Sequence, residues 1–339
     1  MVLHGDTAAK RSVDGEPGAG MIRVSVVIPA YNRADTIGYC LESVCAQSYR
    51  PHEVIVVDDG SSDATAGIVN EFSSRDSMVR LCRSATRSGA QAARNVGIRH
   101  ATGEWIAFQD SDDEWGADKL AVQVRHLEEV GADPMTVIHG DAWRCHAGSA
   151  QREYWRLPLV EGERPVSRLL RAPGPIFPAM LTSKIALERI GLLDEAVPSY
   201  QEWDTAIRLA GYCRFVHVRD ALVTYHLHGG ETISKDMRRD IRGYQYIVDK
   251  FRNDILTSCG RVCLDSHIRR NAHRALEYGL HDEALQVLAA ESGWSVKGLL
   301  MRVLARLRVT PQAYAKWVRR GRVLPALGHY VRSRMATPS

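Results

Sequence analysis

Residues 24–33 read VSVVIPAYNR and residues 53–63 read EVIVVDDGSSD. Val24–Ile28 and Glu53–Val57 are dominated by Val and Ile without polar alternation, which marks strands buried on both faces. Each then breaks into turn-forming residues. Between them, Ala34–Gln47 carries Ile37, Leu41 and Val44 on one face of a helix. A helix between two buried strands at this spacing is the unit of a parallel sheet.

Outward from that unit the alternation continues. Ser62 is placed as the N-cap of a helix through Phe72. Val79–Cys82 is a third strand, Ser88–His100 a helix with small residues on one face, and Glu104–Gln109 a fourth strand that runs into a cluster of acids. The expected fold is α/β, a parallel sheet with helices on both faces. Ligands of such sheets bind beyond the carboxyl ends of the strands. Past Trp115 the pattern weakens. Lys119–Val130 predicts a helix, 135–183 short strands and loops with a Pro-rich stretch at 173–178, and Ser199–Ala210 a helix. Strands are expected near 214–218 and 221–226, and helices almost throughout from Lys235. Three regions follow: a polar, disordered tail over 1–22, an α/β domain over 23–234, and a basic helical region over 235–339.

The chain has 339 residues, 45% apolar and 25% charged, enough for a large core and typical of a globular protein. Its seven Cys include no C-x-x-C pair and no zinc spacing, which predicts reduced thiols in a cytoplasmic protein. The first twenty residues lack the apolar core of a secretory signal, and no run reaches the roughly 18 apolar residues of a membrane span. The net charge of +4 is uneven: Lys297 to Ser339 holds ten Lys or Arg and no acid, so the remainder sums to −6.

The informative residues follow the strands. After the first comes Pro29-Ala30-Tyr31-Asn32-Arg33, with no G-x-G-x-x-G, which argues against a nicotinamide or flavin enzyme. An aromatic here suits stacking on a base. The plainer alternative is that Pro29 and Asn32 shape a turn. After the second comes Asp58-Asp59-Gly60-Ser61-Ser62, whose acids suit a ribose or a base N–H, or an Asx turn. After the fourth comes Asp110-Ser111-Asp112-Asp113-Glu114. Acids so crowded repel one another without a cation, and Mg²⁺ or Mn²⁺ is commonly held by one or two carboxylates plus substrate phosphates. The alternative is a solvated acidic loop. Tyr200-Gln201-Glu202-Trp203-Asp204 opens a helix. Its acids suit either the helix dipole or a general base for a hydroxyl nucleophile. His226 and His228, two apart in a strand, could reach a metal or diphosphate, or be structural.

Together, VSVVIPAYNR (24–33), EVIVVDDGSSD (53–63), ARNVGIRHATGEWIAFQDSDDEW (93–115) and SYQEWDTAIRLA (199–210) resemble the family 2 glycosyltransferases of the GT-A fold. The resemblance spans about residues 23–230. It implies a GT-A domain with a C-terminal helical extension, and inverting, metal-dependent transfer from a nucleoside-diphosphate sugar, a UDP-sugar foremost, to an acceptor hydroxyl. Pro29 and Tyr31 would line the nucleoside pocket. Asp58 or, by preference, Asp59 would contact the base, and Arg87 or Arg94 would approach the nucleotide. Asp110 would lie near the ribose and Asp112 would bind Mn²⁺ or Mg²⁺, with Asp110, Asp113 and His228 as further candidate ligands. The general base falls on Glu202, where many relatives carry Asp, with Asp204 as its competitor.

Two rivals are weaker. A nucleotidyltransferase would want a Gly-rich, basic loop after the first strand. A non-catalytic nucleotide-sugar-binding scaffold would not need Asp110, Asp112 and Glu202 all present. Leu299–Val309 and Ala313–Val331 mix Arg with Leu, Val, Trp and Tyr, including Trp317, Leu324, Leu327 and Tyr330. Such helices suit an anionic membrane surface, where a glycan or lipid-linked acceptor would sit, or they pack on the acidic body. No nucleic-acid motif accompanies the charge, so no nucleic-acid partner is expected.

Overall fold

The computed structural model describes residues 21–146, 151–227, 236–293 and 295–320. Its first half alternates as expected: β1 (Val24–Ala30), α1 (Ile37–Cys45), β2 (Glu53–Asp58), α2 (Thr65–Arg75), β3 (Val79–Arg83), α3 (Ala90–His100) and β4 (Trp105–Phe108). Then come β5 (Glu114–Trp115), α4 (Lys119–Glu129), β6 (Thr136–His146), β7 (Arg152–Trp155), β8 (Gly162–Glu163) and α5 (Val166–Leu169). After a 3-10 turn at Phe177–Ala179 follow β9 (Leu181–Ser183), α6 (Lys184–Arg189), α7 (Gln201–Ala210) and β10 (Arg214–Leu227). Helices α8 (Met237–Lys250), α9 (Arg252–Cys259), α10 (Arg261–Glu277), α11 (His281–Ala289), α12 (Val296–Arg306) and α13 (Pro311–Arg320) complete the described chain.

The strands form one sheet in the order β3-β2-β1-β4-β9-β6-β10-β5, with β7 beside β6 and β8 beside β10. Strands β3, β2, β1 and β4 are parallel. The sheet is mixed beyond them, because β9 runs antiparallel to both β4 and β6. Two local expectations are corrected. The strands expected near 214–218 and 221–226 are one strand, β10, whose pairing with β6 slips at Val218/Ala221 and Ala221/Val223. Such a bulge reads as a break because it interrupts the period of two. Ser62 does not cap α2. The N-cap position falls on Ala64, and Asp63 just before it accepts from the Thr65 N–H at 3.0 Å.

Successive strand residues face opposite sides, so β1 and β2 feed two cores. Val24, Val26, Ile28, Val54 and Val56 pack with Ile37 and Leu41 of α1, Val69 of α2 and Leu120 of α4. Val27, Ile55 and Val57 join a second cluster with Ala93 and Ile98 of α3 and Trp203 of α7. That cluster continues into Tyr244 of α8, Ile268 of α10 and Tyr314 of α13. The C-terminal helices therefore complete the core on the α3 and α7 side of the sheet.

Candidate active site

The loops after the parallel strands are stitched to one another. Asn32 sits at φ 49°, a left-handed conformation that Asn tolerates better than most residues. Its amide oxygen accepts from the Ser62 N–H at 2.9 Å, and its own N–H donates to the Ser61 hydroxyl at 2.9 Å. The N–H groups of Arg33 and Ala34 donate to Thr65 Oγ1 and Asp63 Oδ2. Gly60, at φ 79°, lets the β2 loop pass beneath the next one: a Cβ there would stand 3.3 Å from the Arg87 nitrogen.

The two acids after β2 divide their tasks. Asp58 is fully buried, accepts from the Ser61 N–H at 2.9 Å and pairs with Arg83 at 3.2 Å. Asp59 accepts from the N–H groups of Ser88 and Gly89, at 2.8 and 2.7 Å. It thereby fixes the loop carrying Arg87, whose guanidinium lies 3.9 Å over the Tyr31 ring. Pro29 is buried within β1. Beside these loops, Gly60, Ser61, Arg83, Ser84 and Ala85 line an open pocket of about 420 Å³.

The acidic loop after β4 is held from four sides. Arg94 of α3, itself buried, donates to Asp110 at 2.5 Å and stacks over Phe177. Arg33 stands 3.5 Å from Asp112. The Tyr39 hydroxyl donates to the Asp112 carbonyl at 2.9 Å, and the Gln109 amide to the Asp113 carbonyl at 2.7 Å. The His226 N–H donates to Asp113 and its ring meets Glu114 at 3.0 Å. Burial first, then the charges of Asp112 and Asp110, push the Asp113 carboxyl well above the usual carboxylate range. Burial likewise raises Asp110, with Arg94 pulling the other way.

These residues fit a hard divalent cation. Three carboxylates share one loop, and the buried Asp113 Oδ2 has no hydrogen-bond partner. Among the described residues no three His, Cys, Asp or Glu side chains form a cage of their own. A cation shared with a diphosphate needs only one or two carboxylates. His228 lies outside the described residues.

The acids of α7 part company. Glu202 is half-buried in the first turn. Asp204 is fully buried, bound to Arg208 at 2.7 Å and to Lys250 of α8 at 2.6 Å. Asp204 as a base is thus corrected: two cations hold its carboxylate inside the fold, on the side away from solvent. Neighbouring residues of α3 connect the two acidic regions. Arg94 holds Asp110, while Asn95 donates to the Leu193 carbonyl and to Glu195, both at the approach to α7.

Sequence reasoning passed over Tyr39, Gln109 and Asn95. All three act on backbone carbonyls, which leave no trace in residue spacing.

A family model described as "Glycosyl transferase family 2" matches residues 25–191. The chain is 32% identical over 252 residues to the amylovoran biosynthesis glycosyltransferase AmsB of Erwinia amylovora, covering 66% of this chain and 82% of that one. It is 45% identical over 101 residues to the UDP-Glc:alpha-D-GlcNAc-diphosphoundecaprenol beta-1,3-glucosyltransferase WfgD of Escherichia coli, covering 30% of this chain and 39% of that protein's length. Among solved structures, the mannosyltransferase PcManGT of Pyrobaculum calidifontis, in complex with GDP-Man and Mn2+, superposes with TM-score 0.57 at 23% identity, over 91% of this chain and 87% of that one. S. aureus TarS 1-349 in complex with UDP-GlcNAc gives 0.54 at 19% identity, over 88% and 91%. At such identities the likeness establishes the fold.

Proposed function

The chain belongs to glycosyl transferase family 2 and has the GT-A fold, and we propose that it transfers a sugar, with inversion, from a UDP-sugar to a glycan or lipid-linked acceptor hydroxyl in cell-surface polysaccharide synthesis. The observation that carries this reading is the acidic loop Asp110–Glu114 at the carboxyl end of β4, pinned between Arg33 and Arg94 beside the Tyr31 and Asp59 loops. The name of WfgD, with its UDP-Glc donor and diphosphoundecaprenol-linked acceptor, supports the donor and acceptor classes, and that of AmsB supports a role in biosynthesis of a similar kind.

In this reading Tyr31 and Asp59 face the nucleoside, Arg87 and Arg94 the nucleotide, and Asp110 the ribose. Asp112, with Asp110 and Asp113 beside it, would hold Mn²⁺ or Mg²⁺, which when bound offsets charge on the departing diphosphate. Glu202 removes the acceptor proton as its oxygen attacks the anomeric carbon from the face opposite the leaving group. A thermal-shift screen of UDP-, GDP- and dTDP-sugars with Mn²⁺ tests the donor, since a ligand that binds only the folded state raises the midpoint. A selective rise with UDP-sugars is expected. A rise with none of them would end the donor reading.

The acceptor reading includes a place on the inner face of the membrane. Helix α12 buries Gly298, Met301 and Ala305 but exposes Val296, Leu299 and Val303 on its opposite face, with Leu307 just beyond. No described helix is long and apolar enough to cross a membrane. An exposed apolar row within a region of ten cations and no acid suits an anionic interface. Flotation with phosphatidylglycerol vesicles should carry the protein and Leu299→Glu should weaken this. Equal recovery with neutral vesicles would remove the anionic surface.

A further inference from the structure

The turn that presents Glu202 is fixed by the C-terminal helices. Tyr200, just before α7, sits at φ 61° and ψ 33° and is buried. A bulky residue in the left-handed region is strained and persists only where its surroundings impose it. Those surroundings are α8 and α10. The Tyr200 hydroxyl donates to Asp240 Oδ1 at 2.9 Å. Arg274 of α10 donates to both the Tyr200 hydroxyl and Asp240 Oδ2. The Tyr278 hydroxyl reaches the same carboxylate at 3.2 Å. Tyr200, Asp240 and Arg274 are all buried, so the cluster is sheltered from competing water.

Helix α8 grips the same stretch along its length. Lys250 bonds Asp194 and Asp204, each at 2.6 Å. Arg239 donates to the Pro198 carbonyl at 2.6 Å, and the Ser199 hydroxyl donates to the Arg239 carbonyl at 3.1 Å. Gly243 allows this contact: a Cβ there would run into the Ser199 hydroxyl and stand 2.8 Å from Ser199 N. The 194–204 segment is therefore clamped on both sides of Glu202 by residues the family's motifs do not contain.

We propose that Asp240 and Arg274, acting through Tyr200, are positioning residues that set the angle at which α7 offers its general base to the acceptor. This rests on Glu202 as the base. The hydrogen bonds in the cluster do not touch the donor loops, so losing them alters the reaction step and leaves nucleotide binding in place. A small misplacement of a catalytic group far from the altered bond lowers turnover by one or two orders of magnitude.

The test uses the full chain with Mn²⁺, a UDP-sugar identified by donor screening and a lipid-linked acceptor. Tyr200→Phe keeps the ring and removes the hydroxyl. Asp240→Asn keeps the shape and removes the charge, and the milder Tyr200→Phe stands if Asp240→Asn does not fold. Rates are expressed per nucleotide-binding site, counted by calorimetric titration with UDP, so that a loss of folded protein does not count as slower chemistry. Turnover per site should fall about tenfold or more, with donor KM within about twofold of the parent. Unchanged turnover per site in both variants overturns the proposal, and so does a fall matched by an equal loss of UDP affinity. Glu202→Gln run alongside separates the two claims. Inactivity there with normal Tyr200→Phe and Asp240→Asn defeats the positioning alone. Normal turnover there defeats the base, and the positioning with it.

Discussion

The donor-side loops and the 193–204 segment both carry acids, yet they are held by different kinds of partner. On the donor side the bonds run between the strand-end loops themselves: Asn32 to Ser61 and Ser62, Ala34 to Asp63, Asp59 to Ser88 and Gly89, Arg94 to Asp110. The segment around Glu202 is tied to the motif stretches by Asn95 and Arg208, and is otherwise held by Asp240, Lys250 and Arg274, in a region with no motif. A binding pocket made of its own motif loops travels with the family. If Glu202 is the base, its angle can be changed by altering the appended helical region alone.

Glu202 and Asp204 give the comparison its largest effect. They are two residues apart in one helix turn, yet Asp204 is buried between two cations while Glu202 is half-buried, and the proposed mechanism gives them opposite roles. Glu202→Gln and Asp112→Ala should each cut transfer by about a hundredfold or more while the fold survives. Asp204→Ala should act on stability: removing one partner of a buried pair costs about 3 kcal/mol, because Arg208 loses its carboxylate and Lys250 keeps only Asp194. The checks are initial rates for the first pair and a urea midpoint for the third. Asp204→Ala with a parental midpoint but no turnover would reverse the two roles.

The same contrast explains what the sequence made legible. The four parallel strands were readable because apolar runs and turn residues are local signals. The strand over 136–146 was not, because its buried face carries His139 and Asp141, whose partners Val160 and His217 are remote in sequence. The single strand β10 was split in two by its bulge. Within the site, the acids of 110–113 stood out as a cluster, but their division of labour depends on burial: Asp113 is enclosed while Asp110 keeps a partly open carboxylate. Asp204 could not be told from Glu202, since both occupy a favourable first turn and Lys250, one of the two cations that enclose Asp204, lies 46 residues on.

The smallest effect sharpens the comparison on the helical side. His267 of α10 is buried, bonded to the Tyr244 hydroxyl at 2.8 Å and to the Leu170 carbonyl at 2.9 Å, beside Trp203 of α7. Burial, aided by Arg270, lowers its pKa to about 4. An unfolded histidine titrates near 6.5, so between about pH 6.5 and 4 the unfolded chain binds a proton that the folded one refuses. Stability therefore falls as pH falls through this window, by about 2 kcal/mol from this residue by pH 5. His139, lowered to about 4 by burial, acts in the same sense, while the raised Asp113 carboxyl acts in the opposite one. The comparison must thus be made against a variant. His267→Gln should flatten the decline in urea midpoint between pH 6.5 and 5 without altering the pH dependence of UDP affinity, because His267 lies among the helices that hold α7 and away from the nucleotide loops. An undiminished slope in His267→Gln would assign the acid sensitivity to other groups, and a changed UDP profile would mean that the α3 link through Arg94 and Asn95 carries the effect to the nucleotide loops.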